Sequence, residues 1–236
     1  THSAAATVTV TMLAGFTNYV NQANGAPAAP YTSWATAATN IVDAVAAAAA
    51  GGVTLVATGS YRETSTIAIT QPLRLESVGG PARVLINGAG ARRGIITSPG
   101  VNAFITGFTI SNCAGTDGAG IYCNAGDVVS NCTFVRNVAS GSGGGVYGIG
   151  AAHVVACVFY TNNAAHGGGV YLNGGTLARS TFINNLAGFA SGYGGGAYMN
   201  GGRILACTFS TNLARYGGGA YAYYGNEIRD TWFIGN

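Results

Sequence analysis

The sequence predicts an all-β fold, a parallel β-solenoid with coils of about 25 residues, and three observations predict it. Phe recurs at Phe108, Phe134, Phe159, Phe182, Phe209 and Phe233, each followed three or four residues later by Asn. In step with it, a glycine cluster, then Val, Ala or Ile, then Tyr recur at Tyr122, Tyr147, Tyr171, Tyr198 and Tyr221. The apolar runs are short and broken by Gly, Asn, Ala and Ser, without the 3.6-residue period of a helical repeat. A propeller blade needs about 40 residues, whereas this repeat suffices for one coil of short parallel strands.

Residues 1–52 read as an N-terminal strand, a loop and a capping helix. The alternating TVTVTM, residues 7–12, predicts the strand, and the Asn, Gly, Ala and Pro of residues 21–30 predict the loop. Thr32 or Ser33 then offers an N-cap, Trp34, Ala38, Ile41, Val42 and Val45 fall on one face, and Gly51 and Gly52 end the run. This predicts an amphipathic helix of about four turns. Its apolar face is expected to cover the open end of the first coil.

Residues 53–103 alternate like strands but lack the strict motif, so irregular first coils are expected. Residues 104–236 carry the regular coils of the same solenoid. The sequence ends at FIGN, after the Asn of a sixth motif and before a closing glycine strand, so a processed or longer chain, or an open last coil, is expected.

Aligning the motifs sorts residues into files. Five residues before Phe stand Val129, Val154, Leu177, Ile204 and Ile228, and two before it Cys132, Cys157, Ser180, Cys207 and Thr231. Both files are expected inside, with Phe filling the remaining volume. Three residues after Phe stand Asn137, Asn162, Asn185, Asn212 and Asn236, expected at a corner in the left-handed conformation, with stacked amides hydrogen-bonding between coils. In the glycine strand the residues flanking Tyr are expected to face in and Tyr itself to face out. That file of five Tyr is the candidate contact surface.

Composition excludes several classes. The chain has 10 Lys plus Arg, all of them Arg, against 7 Asp plus Glu, and only Arg92 and Arg93 are adjacent, so no nucleic-acid footprint exists. No run of eighteen apolar residues offers a membrane span. Low charge and open sheet edges favour self-association. The 5 Cys follow no metal spacing and read as buried free thiols, with a Cys113–Cys123 disulfide as the alternative. His2, His153 and His166 follow no ligand pattern, and neither a metal nor another cofactor is expected.

The segments CTFVRN, CVFYTN, STFINN, CTFSTN and DTWFIGN, alternating with GGGVY and GGGAY, resemble the F-x-x-N and G-G-A-[ILV] repeats of chlamydial polymorphic outer membrane proteins and related β-helix proteins of planctomycetes and verrucomicrobia. The stretch from YTSWATAATNIVDAV through GSYRE is similar to the cap and first coil of the pectate-lyase-like superfamily. The resemblance implies a right-handed β-helix, secreted or at a bacterial cell surface after removal of its signal peptide, in a family known for adhesins and autotransporter passengers. Superfamily enzymes use a Lys, Arg or His base beside Ca²⁺, or a trio of Asp. Here Lys is absent, and the regular coils carry only Asp117, Asp127, Glu227 and Asp230, widely spread. Asp117 and Asp127 read as turn residues, His153 and His166 as solvated loop residues, and Arg62 with Glu63 as an exposed pair.

The expectation is therefore a non-catalytic structural or adhesive protein, with no catalytic residues, that self-assembles into a fibre or layer or binds a surface glycan or protein. The alternative is a polysaccharide lyase or hydrolase, or a carbohydrate-binding module.

Overall fold

A computed structural model describes residues 17–188 and 191–236, so the strand expected at 7–12 lies outside the described residues. The chain winds into a β-solenoid of about 8 turns with about 24 residues per turn, and every strand pair is parallel. One coil shows the plan. Val128–Ser130 runs along one face, Thr133–Val135 along the next, Val138–Ala139 forms a short third strand, and Val146–Ile149 completes the turn. Strands within the stack pair with their equivalents one coil earlier and later, as Val129 does with Ile105 and Val154. Strands Ala197–Leu205 and Ala220–Arg229 run unbroken through two faces, with a register shift between Asn200 and Gly202.

Corners arise where single residues take positive φ. Asn131, Ala156, Arg179 and Ala206 do so before the second face, and Arg136, Thr161, Asn184 and Thr211 after it. The carbonyl two residues before the small-residue file already accepts a backbone N–H from the neighbouring coil, and the file adds a second donor to it. The thiols of Cys132, Cys157 and Cys207 donate to the carbonyls of Ser130, Val155 and Leu205 at 3.2, 3.3 and 3.4 Å, and the hydroxyl of Ser180 does the same to Ala178 at 2.8 Å. Cys and Ser interchange here because the corner wants a small inward donor. All five Cys are buried free thiols, so Cys113 and Cys123 form no disulfide. Burial pushes the Cys113 thiol up to about 12 and also raises Cys123 and Cys157.

The second kink corrects one expectation. The left-handed residue is the one before each Asn, not the Asn itself. That kink turns the amide inward, where it stacks. Asn162 Nδ2 donates to Asn185 Oδ1 at 2.9 Å and to the Phe134 carbonyl at 3.0 Å, while its Oδ1 accepts from the backbone and side-chain nitrogens of Asn137, both at 3.0 Å. Two donors and two acceptors are all used, and Asn185 and Asn212 repeat the pattern up to Asn236.

The rings of Phe134, Phe159, Phe182, Phe209 and Phe233 stack at 4.7, 4.6, 4.6 and 5.0 Å between centroids; the first four are fully buried, whereas Phe233 and Ile228, expected inside, are exposed in the last described coil. Phe108 does not join the stack. Ile110 stands opposite Phe134, which puts Phe108 in the file of Cys132, fully buried. The shift was written in the sequence: Phe108 precedes Asn112 by four residues, where the later motifs have three, and Asn112 takes the positive φ of Arg136 while Cys113 takes the place of Asn137. The aliphatic file from Val129 to Ile204 is fully buried.

The N-terminal helix is shorter than its periodicity predicts. Ser33 caps only a 3-10 turn, Trp34–Thr36, and an α-helix forms over Ile41–Ala46 with Asn40 as a new cap. Between them Ala38 pairs with the edge strand Thr17–Val20, accepting from Asn21 and donating to Tyr19, so its backbone is committed to the sheet rather than to a helix. Ile41, Ala44 and Val45 are buried against Ile67–Ile69, the first strand of its face. Trp34 remains 43% exposed. Glu63 is not half of an exposed pair. It is buried and accepts from Ile41 N at 2.8 Å and Val42 N at 3.4 Å, and its burial raises its pKa.

Candidate binding surface

The tyrosine face is made possible by the glycines before it. Gly143 has φ +66, and a Cβ on Gly145 would lie 2.7 Å from both the Gly169 carbonyl and the Phe159 ring. Glycine thus lets the chain pass over the phenylalanine stack of the next coil before the strand Val146–Ile149 begins. Alternation then turns Val146 in and Tyr147 out.

Tyr122, Tyr147, Tyr171, Tyr198 and Tyr221 stand in register across five coils. Their centroids are 5.1, 5.0, 4.6 and 5.4 Å apart, with interplanar angles of 31°, 16°, 3° and 23°. The rings lie face to face along the solenoid axis, so their faces are used by one another. What the stack offers outward is ring edges and phenol hydroxyls. Burial raises the pKa values of Tyr147, Tyr171 and Tyr198; neighbouring phenols add to the shift at Tyr147 and Tyr198, and the Asp117 carboxylate adds to it at Tyr147 and Tyr171, so these hydroxyls remain protonated donors well into the alkaline range.

A second file runs beside the first, five residues before each Tyr. Ser142 pairs with His166, His166 with Tyr193, and Tyr193 with Tyr216. Asp117 begins this file, its Oδ1 accepting from Ser142 N at 2.7 Å. Tyr193 stacks on Tyr216 at 4.9 Å and on its other side meets the His166 ring at 5.4 Å. Against the first file it stands on edge, at 84° to Tyr198 and 62° to Tyr221. The inside corner between the two files holds two adjoining hollows. One, of about 320 Å³, is lined by Tyr193, Tyr198, Tyr221 and Tyr223. The other, of about 190 Å³, is lined by Ser142, His166, Tyr171, Tyr193 and Tyr198. The Arg93 guanidinium lies over Tyr122 and that of Arg215 over Tyr216, each at 5.4 Å, near the two ends.

Sequence reasoning placed His166 in a solvated loop; it lies in this aromatic corner, with Nδ1 buried and unpartnered among the described residues. The signal was available, because Asp117, Ser142, His166, Tyr193 and Tyr216 share one offset from the Tyr motif. Their differing chemistry hid it.

The other acidic residues serve the scaffold. Asp127 is fully buried and accepts from Thr97 Oγ1 at 2.5 Å and from the backbone nitrogens of Ala103 and Asn124, both at 2.7 Å, which ties a turn to the neighbouring coil. Glu227 pairs with Arg203 at 3.0 Å and with Arg229. Among the described residues no three His, Cys, Asp or Glu side chains converge as metal ligands would.

The architecture and its surface define a repeat protein of the parallel β-solenoid class. No protein-family model matches the chain, and neither a search of curated proteins nor one of solved structures returns a match.

Proposed function

We propose that this chain is a non-catalytic solenoid, secreted or displayed at a bacterial cell surface, with a structural or adhesive role exercised through its aromatic side. The observation that carries the reading is the in-register tyrosine stack, whose hydroxyl edges face outward while the Cys and Asn files from Cys132 to Cys207 and from Asn137 to Asn212 are consumed inside the scaffold. The family resemblance of the F-x-x-N and glycine–tyrosine motifs supports the export and adhesion half of it. A side dominated by neutral aromatic groups, repeated once per coil, suits contact with another surface because Tyr gives large area at small entropic cost.

Replacing Tyr147, Tyr171 and Tyr198 together by Ser tests this. Sedimentation velocity for self-association and retention on immobilised cell-surface material are the readouts, with circular dichroism reporting the fold. Association or retention is expected to fall by at least about tenfold with the β spectrum unchanged. Wild-type behaviour in both readouts would remove the contact surface. Turnover of a uronate polymer, with or without Ca²⁺, would overturn the non-catalytic part.

A further inference from the structure

We infer that the corner between the two aromatic files is a binding trench for a neutral polysaccharide, lying extended along the solenoid axis. This rests on the contact-surface reading and names its occupant.

Shape comes first. The two hollows share Tyr193 and Tyr198, so they are consecutive stretches of one trench. A second copy of the chain is a poor occupant: an isologous contact sets the same patch against itself, and two concave corners face to face leave a void. A narrow ligand lying along the corner fits it.

Chemistry narrows the class. The lining is Ser, His and Tyr, with no Asp, Glu or Arg among the residues that line either hollow. A uronate or sulfated chain would give up its hydration there and meet no cation among the lining residues, the guanidiniums of Arg93 and Arg215 standing over Tyr122 and Tyr216 near the two ends. A neutral sugar presents hydroxyls that both donate and accept, as the phenols and Ser142 do, and its C–H surfaces suit the ring edges and walls. His166 adds an imidazole whose Nδ1 has no partner, and a half-turn of the ring exchanges that atom with a carbon toward the other side.

Periodicity selects a polymer. The tyrosine centroids repeat at 4.6 to 5.4 Å. An extended β-linked hexose chain advances by a similar length per sugar, so contacts made with the first tyrosine file in one coil recur in the next, while the second wall varies from Ser142 to Tyr216. A free monosaccharide would use one coil and bind correspondingly weakly.

The test uses affinity electrophoresis and calorimetry with hydroxyethyl cellulose, xylan, mannan and a soluble β-1,3-glucan, with polygalacturonate as the charged comparison. At least one neutral polymer is expected to retard the protein and polygalacturonate is not. Tyr193→Ala and Tyr198→Ala should each weaken binding about tenfold, while Tyr193→Phe, which keeps the ring, separates loss of a hydroxyl from loss of fold. Val158→Ala, on a different face, should bind as wild type. Failure of all four neutral polymers, equal binding by the Tyr variants, or preference for polygalacturonate would overturn the inference. If no glycan binds yet the triple Ser variant loses self-association, the polysaccharide is wrong and the contact surface stands. If neither changes, both fall.

Discussion

The asparagine file and the tyrosine file are built by the same device, one residue type repeated once per coil, and they end in opposite states. In the first, every donor and acceptor of Asn162 is matched by a neighbouring coil, and the side chain is buried. In the second, neighbouring coils take the ring faces and leave edges and hydroxyls outside. Stacking alone therefore does not say what a file is for. What decides is whether the stacked group has bonding capacity left when its neighbours are in place. The asparagines have none and hold the scaffold together; the tyrosines have theirs to offer.

The largest effect that would sharpen this contrast is Asn162→Ala. It strips partners from the backbone N–H and side-chain amide of Asn137 and from the Phe134 carbonyl, all in the interior. The expected loss is at least about 3 kcal/mol, read from urea unfolding, because each orphaned buried group costs about 1 to 3 kcal/mol. Tyr171→Ser, in the same coil stack, should cost only about 1 kcal/mol, since it removes ring contacts and leaves no buried polar atom unpaired. Equal losses at the two sites would break the distinction between a closed and an open file.

The smallest effect concerns Glu63, a closed polar contact at the N-terminal end. Burial raises its folded pKa above the unfolded value. Its stabilising contribution is then fully present below the ordinary glutamate pKa of about 4.3 and is lost as pH rises through the raised folded value. Wild type should accordingly lose stability relative to Glu63→Gln as pH climbs from 4 towards neutrality, measured by paired melts at each pH. A difference that stays flat with pH would mean the carboxylate is solvated.

Much of this was legible before any coordinates. The Phe and Tyr motifs announce coils because only stacking lets a recurring residue meet its own kind, and residues 53–103, which alternate like strands, do hold strands such as Leu73–Ser77 and Val84–Asn87. The structure departs from the sequence reading in three places. The helix is cut short because Ala38 finds a strand partner in Tyr19 and Asn21, and Glu63 leaves the surface to accept from the start of the helix Ile41–Ala46; both turn on a partner distant in the sequence. Phe108 shifts file because its coil kinks at Asn112, a local signal carried by their four-residue spacing.

By itself the sequence determined the architecture, because a period is a property of the chain and parallel coils convert it directly into files in space. Only the tertiary structure decided what the surface offers. The angle at which the Tyr193 file meets the Tyr198 file, and the hollows that angle encloses, depend on corners whose bends no single motif encodes.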